Sequence, residues 1–165
     1  MNRSTHFVGY TGDGWPDEKW LARFFLTPQG RRDLFASDND CWGLRAEGVD
    51  GTDHLPHLQG RVDIDLTIQV HPQFGVLLQH RRTGRLPIQT YYSRGDLSRL
   101  HEWIITLQDE QRPVGLFIPF EKAWQAIKEF IGRDAALPSS IVWVKGSDLP
   151  ATAFPPPLMG PNAYR

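Results

Sequence analysis

The chain has 165 residues, 40% hydrophobic and 22% charged, with 9 Phe, 6 Trp and 4 Tyr, which suffices for one globular core and argues against disorder. A formal net charge of -1 gives no general attraction to nucleic acid. The single cysteine, Cys41, excludes an intrachain disulfide. No apolar run reaches the roughly 18 residues of a membrane span, and the opening MNRSTHFVGYTGDGW lacks the apolar stretch of a secretory signal, so a cytoplasmic setting is expected.

The first 60 residues hold no sustained period. GYTGDGWP (9–16) gathers turn formers. PDEKWLARFFL then predicts a helix. Pro16 suits a first turn, Asp17 and Glu18 favour its positive end, and Trp20, Leu21, Phe24 and Phe25 share a face. A strand over ARFFLT is the competing assignment. From 27 to 60 the sequence is rich in Gly and Asp, and loops with one or two short strands are expected.

The centre alternates. In RVDIDLTIQV, Ile64, Leu66, Ile68 and Val70 interleave with Asp63, Asp65, Thr67 and Gln69, the period of a strand with one buried face. FGVLLQHRR and LPIQTYYS follow after the short turns HPQ and TGR, predicting an antiparallel meander. In GDLSRLHEWIITLQDEQ, Leu97, Leu100, Ile104 and Leu107 recur at helical spacing behind Asp96 as N-cap. A helix is expected there, with HEWIITL as a strand the alternative. RPVGLFIP reads as a short strand.

PFEKAWQAIKEFIG carries an apolar stripe of Ala123, Trp124, Ile127, Phe130 and Ile131 opposite Glu121, Lys122, Gln125, Lys128 and Glu129. It predicts a helix ended by Gly132 and not renewed past Pro138. SSIVWV predicts a strand. The tail from 150 to 165 has five prolines, and is expected to lie extended or mobile without a regular element. The fold class expected is therefore α+β: one domain over 1–150, an antiparallel sheet packed on two or three helices, and a proline-rich tail over 151–165.

Catalytic signatures are weak. His54 and His57 lie close together beside Asp53, but Pro56 intervenes and no second cluster completes a zinc set. Cys41 lies in no recognisable cysteine-enzyme signature and reads as a small buried hydrophobe. Asp63 and Asp65 sit where a strand needs a solvated face. GYTGDG matches neither the dinucleotide fingerprint nor the P-loop. The basic turn with Arg81, Arg82 and Arg85 reads as solvated. No catalytic residue, metal ligand or cofactor is assigned. A small enzyme built on His54, His57 or Cys41 remains the alternative, as does an interaction module recruited through the tail.

One feature stands out. Between 38 and 65, seven acidic residues (Asp38, Asp40, Glu47, Asp50, Asp53, Asp63, Asp65) face only Arg45 and Arg61, a local balance of -5. Trp42 lies among them. Acidic loops with an embedded aromatic can steer and anchor a basic partner.

The stretches LTIQVHPQFGVLLQHRR, YYSRGD and FIPFEKAWQAIKEFIGRDAALPSSIVWVKGSDLP resemble the first numbered immunity family of bacterial polymorphic toxin systems, over about 62–150. The pattern rests on Ser93 and Gly95 after the third strand, Ala123, Ala126 and Phe130 in the late helix, then Pro138 and Trp143. RDAA lengthens the spacing from helix to proline, and the first 60 residues do not match. The resemblance implies a non-enzymatic protein that binds and neutralises one cognate toxin domain in the cytoplasm of the producing cell; from charge and hydropathy, no direct contact to nucleic acid or membrane is expected. The matched positions are structural, so the expected toxin-binding residues come from the acidic segment: Asp38, Asp40, Trp42, Glu47, Asp50 and Asp53.

Overall fold

The computed structural model describes residues 1–85, 87–156 and 163–164. Strands β1 (Asn2–Phe7) and β2 (Tyr10–Asp13) form an N-terminal hairpin. Helices α1 (Glu18–Leu26) and α2 (Pro28–Phe35) follow, then β3 (Cys41–Glu47), β4 (Asp63–His71), β5 (Gly75–Thr83) and β6 (Gln89–Ser93). β7 (Trp103–Ile105) and β8 (Gln111–Pro113) precede α3 (Phe120–Gly132), β9 (Trp143–Lys145) and β10 (Ala163–Tyr164). The main sheet is antiparallel throughout, in the order β2-β1-β3-β4-β5-β6-β9. A second sheet has the order β10-β7-β8. The fold is α+β, with the expected β4-β5-β6 meander at its centre.

All three helices cover one face of the main sheet. Leu21, Phe24 and Phe25 of α1, Leu34 of α2 and Trp124, Ile127 and Phe130 of α3 pack against Leu44, Leu66, Ile68 and Leu78. Asp17 caps α1, its Oδ1 accepting from the backbone N–H of Lys19 (2.9 Å) and Trp20 (3.1 Å). Thr27 both ends α1 and caps α2 through a 3.0 Å bond from the Gly30 N–H. The helix α2 falls where only loops and strands were expected. Its burial rests on Gly30 and Leu34 alone, too few positions to set up a period. The sheet also begins earlier than the expected irregular N-terminus allows, because β1 docks on β3.

The other face is half covered. Leu77, Tyr92 and Val144 on that face pack with Ile104, Val114, Leu116 and Phe117 of the second sheet and its connections. The helix expected over GDLSRLHEWIITLQDEQ does not form. A single 3-10 turn at Leu97–Arg99 precedes strand β7, and Leu107 of the supposed apolar stripe is 53% exposed. The stretch RPVGLFIP splits into β8 and a 3-10 turn at Val114–Leu116. SSIVWV contributes only its end to β9.

The tail is not free of regular structure. Ala151–Ala153 forms a 3-10 turn, and Ala163–Tyr164 pairs in parallel with β7. Trp103 Nε1 donates to the Ala153 carbonyl (2.9 Å), Gln111 Nε2 to the Pro156 carbonyl (2.6 Å), and the Tyr164 hydroxyl to Glu102 Oε1 (3.1 Å). The expectation for 157–162 and 165 lies outside the described residues.

Helix α3 forms as expected, but Gly132 is its last helical residue. The left-handed turn comes afterwards, at Asp134 (φ 50°) and Ala135 (φ 69°). Glu129 accepts from the N–H of Ser139 and Ser140, both at 2.9 Å, which holds the connection to Pro138. These bonds hold its carboxyl down at about 2.

His80 links the sheet to this turn. It is 4% exposed, and its Nε2–H donates to the Ala135 carbonyl at 2.9 Å while Phe130 and Trp143 meet the ring edge-on. Donation from Nε2 leaves Nδ1 as the unprotonated nitrogen, and that atom is buried without a partner. Burial pushes the imidazole below its ordinary value, and the bond to Ala135 opposes this only in part. Stability is therefore retained above the unfolded value of about 6.5 and falls as pH drops from there towards the lower folded value. Melting curves between neutral and mildly acidic pH should show a falling Tm, and His80→Gln should flatten that slope. An equal slope in the variant would remove His80 as the cause.

Candidate functional site

The uncovered half of the main sheet offers the principal polar surface. Alternation turns Ser4 and His6 of β1, Gly43, Arg45 and Glu47 of β3, Asp65 and Thr67 of β4, and Gln79 and Arg81 of β5 away from the helices. A shallow groove of about 360 Å3 runs between Ser4, His6, Arg45, Asp65, Thr67, Gln79 and Arg81.

Its charges are organised around two arginines. Arg45 reaches Glu47 Oε1 (2.9 Å), Asp65 Oδ1 (2.8 Å) and Asp63 Oδ2 (3.3 Å). Arg61 forks onto both oxygens of Asp63, at 3.0 and 3.1 Å. Asp63 is 0% exposed and also accepts from the Gly48 N–H at 3.0 Å, while His57 Nδ1 approaches at 3.3 Å. Burial acts to raise the Asp63 carboxyl, but Arg61 and the Gly48 N–H outweigh it and hold the group below its usual value. Asp63 is thus a buried hub of the network, where the alternation alone placed it on a solvated face.

The six residues expected to meet a toxin separate into two groups. Trp42 is 3% exposed and packs on Phe7 at 5.3 Å between centroids. It anchors the sheet to the helical layer, because it alternates in phase with Leu44 and Ala46. Asp40 is half-buried: its Oδ2 accepts from the Leu107 N–H (3.0 Å) and its carbonyl from the Val70 N–H (2.9 Å) and Gln69 Nε2 (3.0 Å). It ties β3 to the second sheet and is not a free surface charge. Asp38 is exposed, and among the described residues makes no ion pair. Glu47 flanks the groove, half-buried. Asp50 pairs with Arg82, and Asp53 lies 3.5 Å from the N-terminal amine of Met1. The acidic excess counted along the sequence is therefore reduced by cations distant in the chain.

The histidine and cysteine candidates do not converge. His54 is exposed on the loop before β4, and His57 is drawn to Asp63. Among the described residues no group of three or more His, Cys, Asp and Glu is placed to hold a metal ion. Burial, with Asp40 nearby, pushes the Cys41 thiol up to about 11. At neutral pH that keeps it from being a nucleophilic thiolate.

Arg81, expected in a solvated turn, lies within β5. The alternation of Leu77, Gln79 and Arg81 along β5 was the signal that places it on the open face. No helix among the described residues is long and apolar enough to cross a membrane. No family model matches the chain, and neither a curated protein nor a solved structure matches it significantly.

Proposed function

We propose that this chain is an immunity protein, which binds a cognate toxin domain and occludes its active site without doing chemistry itself. The observation that carries this reading is the uncovered half-face. It lies on a central sheet, is backed by the helical core, and has its carboxylates and Arg45 held in place by mutual ion pairs. Side chains ordered before contact lose less conformational entropy on binding. The immunity-family resemblance over 62–150 supplies the class of partner.

A toxin acting on nucleic acid, a deaminase among them, carries a basic cleft to hold its substrate. Asp38 before β3, and Glu47, Asp50 and Asp53 at or beyond its far end, would complement such a cleft. Replacing these four by Ser should slow association and flatten its dependence on salt. An unchanged association rate and salt response would remove the electrostatic part of the reading.

The direct test is protection. A toxin domain found encoded beside this chain's gene is produced in cells with and without the chain. Growth restored by the chain, together with a co-purified complex, supports the reading. Continued toxicity with no complex overturns it.

A further inference from the structure

We infer that the open groove is a receptor for a carboxylate side chain presented by the partner, with Arg81 as its anchor. This rests on the protein-binding reading and names the chemistry that the partner brings to the same face. The two guanidinium groups of the groove differ. Arg45 is engaged by three carboxylates. Arg81 lies directly opposite Asp65 in the β4-β5 register, yet both oxygens of Asp65 are taken by Arg45 Nη1, at 2.8 and 3.1 Å. Among the described residues Arg81 makes no ion pair.

Its neighbours are donors in the same condition. Thr67, Gln79 and Tyr92 form one cross-strand row through the pairs Thr67↔Gln79 and Gln79↔Tyr92. None of the three side chains has a hydrogen-bond partner among the described residues. Arg81 adjoins this row on β5, two residues beyond Gln79 on the same face, and lines the groove with Thr67 and Gln79. A guanidinium has donors and no acceptor, and it meets a carboxylate with two parallel bonds. Hydroxyl and amide donors alongside can saturate the remaining lone pairs.

The charge selects the ligand. Among the described residues the Arg81 guanidinium has no ion pair, while Asp65 lines the groove and Glu47 pairs with the Arg45 that lines it. These carboxylates would repel a polyphosphate, whereas a single carboxylate matches a groove in which, among the described residues, Arg81 alone has no ion pair. A nucleic-acid backbone is disfavoured on the same ground. The occupant is therefore an aspartate or glutamate side chain of the partner protein.

The test has two arms. In the first, the full chain labelled with 15N is titrated with a blocked glycine–glutamate–glycine peptide, its glutamine analogue and inorganic phosphate. Saturable shifts at Thr67, Gln79, Arg81 and Tyr92 with the glutamate peptide alone, lost in Arg81→Gln and partly kept in Arg81→Lys, are expected. No localised shift, shifts unchanged in Arg81→Gln, or stronger shifts with phosphate would overturn the inference. In the second arm, Arg81→Glu should weaken the complex with a toxin domain found encoded beside this chain's gene by about tenfold or more. A wild-type complex indifferent to Arg81→Glu sinks the inference and leaves the immunity reading standing. Peptide binding at Arg81 with no toxin complex does the reverse.

Discussion

Asp63→Ala should lower the free energy of unfolding by about 3–5 kcal/mol, the cost of removing one partner from a buried ion pair. The side chain is 0% exposed. Its loss strips Arg61 of a two-pronged acceptor, leaves the Gly48 N–H unpaired, and removes one of the three anions around Arg45. Asp63→Asn keeps the shape and one acceptor, so it should lose less. Chemical denaturation followed by tryptophan fluorescence measures both, with a lower midpoint at unchanged slope as the signature. A midpoint within error of the wild type for Asp63→Ala would mean that the network carries no net stability. The functional consequence is local. The Gly48 N–H bond to Asp63 ties the start of the loop bearing Asp50 and Asp53 to β4, so the variant should also loosen that acidic loop.

Gly75→Ala should have an effect of similar size for a different reason. Gly75 has φ 98°, and a Cβ there would stand 2.2 Å from the Ile118 carbonyl oxygen. That carbonyl accepts from the Val76 N–H at 2.9 Å, and Ile118 N–H returns a bond to the Val76 carbonyl at 2.8 Å. The backbone must rotate or the bridge must part. Strain of about 1–3 kcal/mol together with the loss of one or both bonds gives an expected cost of about 2–6 kcal/mol. The bridge fixes the approach of the chain to α3, whose start at Phe120 follows two residues later. Faster amide exchange at Val76 and Ile118, alongside a lowered midpoint, would identify the mechanism. Unchanged exchange there would contradict it.

The elements legible in the sequence are those whose burial repeats. In β4, Ile64, Leu66, Ile68 and Val70 all reach the core, and in α3 Ala123, Trp124, Ile127 and Phe130 do the same. The segment 97–107 misled because Leu97, Leu100, Ile104 and Leu107 happen to stand at helical spacing. Ile104 is fully buried, while Leu107 faces solvent. The three-residue β7 is held by β8 and β10, contacts distant in the chain. Such partners leave no local period.

The candidate surface was partly legible for the same reason. A local count of charge finds the acids of 38–65 but not the Arg82 that meets Asp50 or the amine of Met1 near Asp53. Nor does it show that Asp40 holds the Leu107 N–H. Trp42 was open to correct assignment, since CWGLRAE alternates and puts it with Leu44 and Ala46. Arg81 needed the register: only the pairing of β3, β4 and β5 reveals that Arg45 takes Asp65, leaving Arg81 without an ion pair among the described residues.

The chain is proposed to work by occupying another protein. Titrating the purified chain into a toxin domain found encoded beside its gene, while following that domain's activity, tests this most directly. Activity falling to zero at one equivalent, with Arg81→Glu needing a clear excess to reach the same endpoint, is the predicted result. Full activity in the presence of excess wild-type chain would contradict the account.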